Sequence, residues 1–117
     1  MASATPHRAS ARRREIQPHA LEEAGPQVQI VDVREPAEFD GSLGHVIGAR
    51  LIPLAELPAR MAELDRARPV VTVCRSGARS AQAAVLLGKA GFAEVANLAG
   101  GMLRWRAAGY PVKGGAA

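Results

Sequence analysis

Short runs of β-branched residues alternate with amphipathic helical patterns along most of this chain, and that alternation limits the folds open to it more than any other feature. Residues 28–33, 49–52 and 69–73 combine Val, Ile or Leu with flanking turn formers and read as buried strands. A fainter pattern over residues 93–98 reads as a fourth strand, and the segment around residues 15–17 as an edge strand. Helical patterns fall between them, over residues 21–24, 36–39, 54–64, 80–89 and 102–107. In the third of these, Leu54, Leu57, Met61 and Leu64 recur at three- and four-residue spacing and make one buried stripe. Gly91 is placed to cap the helix that ends near Ala90. Parallel neighbours need crossover helices, so the alternation predicts an α/β domain with a mostly parallel sheet. Only 3% of residues are aromatic, which leaves Val, Ile, Leu and Ala to fill the core, as a sheet covered on both faces requires. At 117 residues and with no internal repeat, one core is expected.

The charge is distributed unevenly. Net charge is +4, and residues 1–14 contain Arg8, Arg12, Arg13 and Arg14 with no acid, which leaves eleven bases against eleven acids in the rest. Residues 1–14 are therefore expected to be a disordered basic tail, residues 15–112 the domain, and residues 113–117 a flexible C-terminus. A formally neutral domain lacks the broad basic footprint of a nucleic-acid binder, so no nucleic-acid partner is expected. No segment approaches the length of a membrane span, and Glu15-Ile16-Gln17-Pro18 rather than an apolar stretch follows the arginines, so neither a membrane partner nor a secretory signal is expected. The cytoplasm is the expected compartment.

The chemistry concentrates in one place. Immediately after the strand ending at Val73 comes Cys74-Arg75-Ser76-Gly77-Ala78-Arg79-Ser80, followed by the helical run 81–87. Cys74 is the only cysteine, so it has no intramolecular disulfide partner. Its strand-to-helix position is the carboxyl edge of a parallel sheet, where ligands bind. A tight loop entering a helix N-terminus turns successive backbone N–H groups inward, and the helix dipole adds positive partial charge. A sulfur at the centre of that ring is favoured as thiolate and becomes a nucleophile. Arg75 and Arg79 add attraction for an oxyanion, Ser76 and Ser80 add hydroxyls, and Gly77 permits a positive φ. A lone cysteine after an apolar strand is commonly just a small buried side chain. Flanking arginines serve no such cysteine.

With these pieces in order, residues 15–112 resemble the rhodanese-like family, in its single-domain thiosulfate sulfurtransferase form. The matching stretches are Asp32-Val33-Arg34-Glu35-Pro36 with Glu38-Phe39, Gly44-His45-Val46-Ile47-Gly48-Ala49 running into Ile52-Pro53, and Cys74 through Ser80. Gly91-Phe92, Leu98-Ala99-Gly100-Gly101 with Trp105, and Gly109-Tyr110-Pro111-Val112 continue the match. The resemblance implies an α/β rhodanese-like fold, a five-stranded parallel sheet flanked by helices on both faces. It implies that Cys74 accepts a sulfane sulfur as a persulfide and that residues 75–79, with Ser80 beside them, form the substrate-binding loop. Asp32 and Arg34 match the motif that frames the site from the side; a salt bridge or loop brace, with Glu38, is their expected role. The implied partners are a small sulfur donor such as thiosulfate and a cyanide or thiol acceptor, which a protein could also supply. An arginine in the pattern Cys-x4-Arg makes the loop one residue shorter than the Cys-x5-Arg of related phosphatases and arsenate reductases, and a contracted cradle suits sulfur better than phosphate. A non-catalytic module that binds an anion or a protein remains the rival from another class.

Other residues read as structural. His45 is expected to be a hydrogen-bonded structural histidine, because persulfide transfer needs no base once the thiolate exists. Trp105 and Phe92 are expected as apolar mass, and Gly100-Gly101, after the last strand, as neighbours of the cysteine loop. No dinucleotide fingerprint, phosphate-binding loop or zinc spacing occurs, so no cofactor and no metal are expected.

Overall fold

The computed structural model describes residues 14–116. In chain order it runs β1 (Glu15–Ile16), α1 (Pro18–Glu23), β2 (Gln29–Asp32), α2 (Pro36–Phe39), β3 (His45–Val46), β4 (Arg50–Leu51), α3 (Leu57–Arg60), β5 (Val70–Val73), α4 (Ala78–Lys89), β6 (Val95–Leu98), α5 (Gly101–Ala107) and β7 (Val112–Lys113). Five strands form one parallel sheet in the order β1-β6-β5-β2-β4, with Asp32 opposite Val73 and Val70 opposite Val95. The expected five-stranded α/β architecture is what the chain adopts.

Period-two alternation explains why helices cover both faces. On central β5, Val70 and then Cys74 face a cluster with Val31, Val33, Leu57, Ala83, Leu87 and Phe92, whereas Val71 and Val73 face Leu21, Leu98, Met102 and Trp105. Each side of the strand thus buries mainly apolar side chains, and burying a Val- or Leu-sized one contributes about 1.5–3 kcal/mol. α4 ends as the sequence predicts: Gly91 takes φ +96°, its N–H donates to the Gly88 carbonyl at 3.2 Å, and Phe92 N–H donates to Leu87 at 3.1 Å.

Beyond a first helix that begins at Pro18 rather than Leu21, two features differ from the sequence reading. The helix expected over residues 54–64 is broken into a 3₁₀ turn at Leu54–Glu56, the single α-turn α3, and a second 3₁₀ turn at Met61–Glu63. Pro58 has no N–H to offer the Leu54 carbonyl, so a continuous helix would lose that bond. The stripe survives, with Leu57 and Leu64 buried and Leu54 and Met61 packed against them. The other difference is a small antiparallel sheet, β3 with β7, which pairs His45 with Lys113 and Val46 with Val112. Of the stretch 113–117, Lys113 is in that pairing, Ala116 N–H donates to Ser42 at 2.8 Å, and Ala117 lies outside the described residues. Residues 1–13 of the basic tail also lie outside them, while the Arg14 carbonyl accepts from Asn97 N–H at 3.3 Å.

Candidate active site

The loops after β2, β5 and β6 meet at one edge because those strands are neighbours in the sheet. Cys74 follows β5 and is 1% exposed. Gly77, at φ +116°, turns the chain into α4, a conformation that any L side chain would strain. The loop carbonyls are drawn outward. Met102 N–H donates to Cys74 O at 2.9 Å, Leu103 N–H to Arg75 O at 3.1 Å, and Asn97 Nδ2 to Gly77 O at 3.2 Å. Thr72 Oγ1 donates to Ser80 O at 2.8 Å. With its carbonyls so engaged, the loop directs amides at the sulfur: Gly77 N–H at 3.1 Å and Ser80 N–H at 3.3 Å from Cys74 Sγ. The Ser80 hydroxyl lies 3.4 Å from Sγ and also reaches Gly77 O at 3.1 Å.

Burial pushes the Cys74 thiol up, but the Ser80 hydroxyl and the amides of Ser80, Gly77 and Ser76 push it down by more, so the net displacement is below the ordinary thiol value. Two backbone N–H groups of the loop, those of Gly77 and Ser80, thus point inward at the sulfur.

The remaining predicted site residues separate into two groups. Arg75, Ser76 and Ala78 are exposed, and Arg75 has no ion-pair partner among the described residues. It borders a cleft of about 270 Å³ whose other wall is Ala37, Glu38 and residues 41–43. Arg79 is engaged instead: Nη1 and Nη2 donate to the two oxygens of Glu38 at 2.7 and 2.9 Å. The Arg79 guanidinium holds the Glu38 carboxyl down at about 2, against an opposing contribution from burial. Asp32 and Arg34, 0% and 1% exposed, form a buried two-pronged pair at 2.9 and 2.8 Å. Arg34 then donates to the carbonyls of Glu38 at 3.1 Å and Gly44 at 2.7 Å, which pins the 38–44 turn to the end of β2. Their contacts are those of a brace.

Thr72 and Asn97 escaped sequence reasoning as parts of this site, and Glu38 entered it only as a partner for the brace. Gly101, expected beside the cysteine loop as half of a Gly-Gly pair after a strand, lies against the Cys74 and Arg75 carbonyls. His45 Nδ1 lies 2.9 Å from the Phe39 carbonyl and its ring stacks on Phe39 at 3.6 Å, behind α2. Among the described residues no three His, Cys, Asp or Glu side chains converge as a metal site requires.

A family model for the rhodanese-like domain matches residues 18–108. The chain belongs to the rhodanese-like family. A protein named sulfurtransferase from Allochromatium vinosum is 42% identical to this rhodanese-like chain over 85 residues, 73% of this chain and 78% of that one. Thiosulfate sulfurtransferase GlpE of Stutzerimonas stutzeri is 39% identical over 90 residues, 77% of this chain and 79% of the relative. The uncharacterized protein YqhL of Bacillus subtilis is 46% identical over 79 residues, and the match spans 61% of its length. Among solved structures, a rhodanese-related protein from Thermoplasma volcanium matches with a TM-score of 0.77 and 32% identity, over 84% of this chain and 95% of that one.

Proposed function

We propose that this chain is a sulfurtransferase that carries sulfane sulfur on Cys74, taking it from a donor such as thiosulfate and passing it to cyanide or a thiol. The observation that carries the reading is the convergence of the Gly77 and Ser80 amides on Cys74 Sγ at 3.1 and 3.3 Å, which favours an anionic sulfur there. The Cys74 thiolate attacks the outer sulfur of thiosulfate, the S–S bond of the donor breaks, and its electron pair leaves with sulfite. The product is a persulfide anion on Cys74, whose terminal sulfur the loop N–H groups and the Ser80 hydroxyl hold. Cyanide then attacks that sulfur, thiocyanate departs, and the thiolate is restored. This is covalent catalysis in two half-reactions.

Arg75 is the cation that attracts the sulfonate end of the donor, since Arg79 already holds Glu38. Ser76 and Ala78, both exposed and small, leave the mouth open, and the cleft beside Arg75 gives room for an acceptor larger than cyanide, including a protein thiol. Because the thiol must be free to accept sulfur, we assign the activity to the cytoplasm, where thiols stay reduced.

Intact mass after incubation with thiosulfate tests the proposal. A gain of one sulfur atom, removed by cyanide with formation of thiocyanate and absent in Cys74→Ser, is the expected result. No adduct on a folded protein would overturn sulfur transfer in favour of a binding module, and release of phosphate from a phosphoester would favour the longer-looped enzymes' chemistry.

A further inference from the structure

We propose that Glu38 is a positioning residue for Cys74: by holding the Arg79 guanidinium in a two-pronged ion pair at the side of the loop, it keeps that positive charge off the sulfur and leaves the thiolate basic enough to attack a donor. The inference rests on Cys74 being the sulfur carrier.

The geometry is specific. Arg79 is the second residue of α4 and immediately precedes Ser80, whose amide and hydroxyl both reach Cys74 Sγ. Both of its terminal nitrogens are turned to Glu38, at 2.7 and 2.9 Å, with the pair about one third exposed. Glu38 is itself held in place: its Oε1 accepts from Glu35 N–H at 3.0 Å and its carbonyl from Arg34 at 3.1 Å. Arg34 is in turn fixed by buried Asp32. The end of β2 therefore dictates where Arg79 points, 41 residues along the chain from Glu38.

A free guanidinium in the first turn of α4 would lean toward the anion beside it. Arg79 already senses Cys74, since the sulfur contributes, after Glu38, to the stabilisation of its charged form. The neighbouring amides have lowered the thiol already, and a further cation would lower it more. Thiolates lose nucleophilicity as they lose basicity, with a Brønsted slope of about 0.4–0.5, so a sulfur held too strongly as an anion attacks slowly. Pairing with Glu38 makes the arginine's side of the site nearly neutral. The other charged groups around the loop are Asp32 and Arg34, which cancel in their own pair, Arg75 at the rim, and Arg104, which lies over Gly100 at the start of α5. His45 sits behind α2 on Phe39.

The sign of one shift separates this role from simple bracing. Glu38→Gln keeps the shape and one hydrogen bond to Arg79 while removing the charge. Cys74 is the only thiol, so the pH profile of iodoacetamide alkylation reads it alone. The expected midpoint moves down. Well below the wild-type midpoint the variant alkylates about threefold faster, and on the high-pH plateau more slowly. Arg79→Ala moves the midpoint up, because it removes the cation and strands the carboxylate. If Glu38 only braced the loop, its loss would let the Gly77 and Ser80 amides drift and the midpoint would rise in both variants. Glu38→Ser discharges the site with a side chain too short to reach Arg79, so whichever Glu38 variant folds decides the sign. An unchanged or raised midpoint overturns the proposal. Alkylation of the sulfur-free protein reads the thiol independently of its ability to accept sulfur, so failure of wild-type protein to load from thiosulfate would reject sulfur transfer separately.

Discussion

Gly101→Ala should damage this protein more than any other single methyl addition at its glycine-rich edge. Gly101 has φ +56°, and a Cβ there would sit 2.5 Å from both the Cys74 and the Arg75 carbonyl oxygens. Ordinary contact begins at 3.4 Å, so the methyl and these backbone atoms must part by about 0.9 Å. Neither side yields easily, because the Met102 and Leu103 amides bond those same oxygens at 2.9 and 3.1 Å. The left-handed backbone costs about 1–2 kcal/mol for a residue with a Cβ. Losing two hydrogen bonds adds about 0.5–1.5 kcal/mol each, for a total of about 2–5 kcal/mol. In a domain this size that is a fall in melting temperature on the order of 10–25 °C. Sulfur transfer by the surviving folded protein should drop more than about tenfold, because displacing the Cys74 carbonyl rotates the loop amides away from Sγ. Gly109→Ala is the control: its φ of +82° carries the same backbone penalty, but nothing lies within 4 Å of the new methyl. It should lose about 1–2 kcal/mol and keep full transfer. Thermal melts and thiocyanate formation for the pair decide the matter. A Gly101→Ala protein as stable and active as Gly109→Ala would refute the claim that α5 clamps the cysteine loop.

Asp32→Ala leaves Arg34 buried without its carboxylate and should cost about 3–5 kcal/mol in urea unfolding, far more than removal of a surface pair. Arg75→Ala should load sulfur from thiosulfate about tenfold more slowly while melting like the parent, and a wild-type loading rate would remove Arg75 from donor recognition. The Glu38 carboxyl is held at about 2 by Arg79 when folded, below its ordinary 4.5, so its contribution is complete above pH 4.5 and is lost as pH falls toward 2. Acid unfolding of Glu38→Gln should therefore be flatter between those limits, and an acid limb of unchanged steepness would show that the pair adds nothing to stability.

Strand and helix placement was legible along the chain because the forces that set it act between near neighbours. Val70-Val71-Thr72-Val73 needs no distant information to read as a strand, and Cys74 through Ser80 announces its own ring of amides by being a short, small-residue loop ahead of a helix. Pro58, within residues 54–64, has no N–H to offer and divides that helix, while the apolar stripe continues across the break because it depends on spacing alone. The β3–β7 pair gave less warning, since two residues on each strand carry no periodicity to detect.

The sequence by itself determined the α/β class, the position of Cys74 at the carboxyl edge of the sheet and the composition of its cradle, all of which follow from contacts within a few residues. Only the tertiary structure decided which arginine is free. Arg75 and Arg79 are equivalent by sequence; Glu38 claims Arg79 because the order of β2 beside β5 brings α2 against the first turn of α4. Packing likewise turned the Met102 and Leu103 amides, Asn97 and Thr72 onto the loop's carbonyls. Such partnerships depend on how strands are ordered in space, and that order is settled by the burial of the whole sheet rather than by any local run of residues.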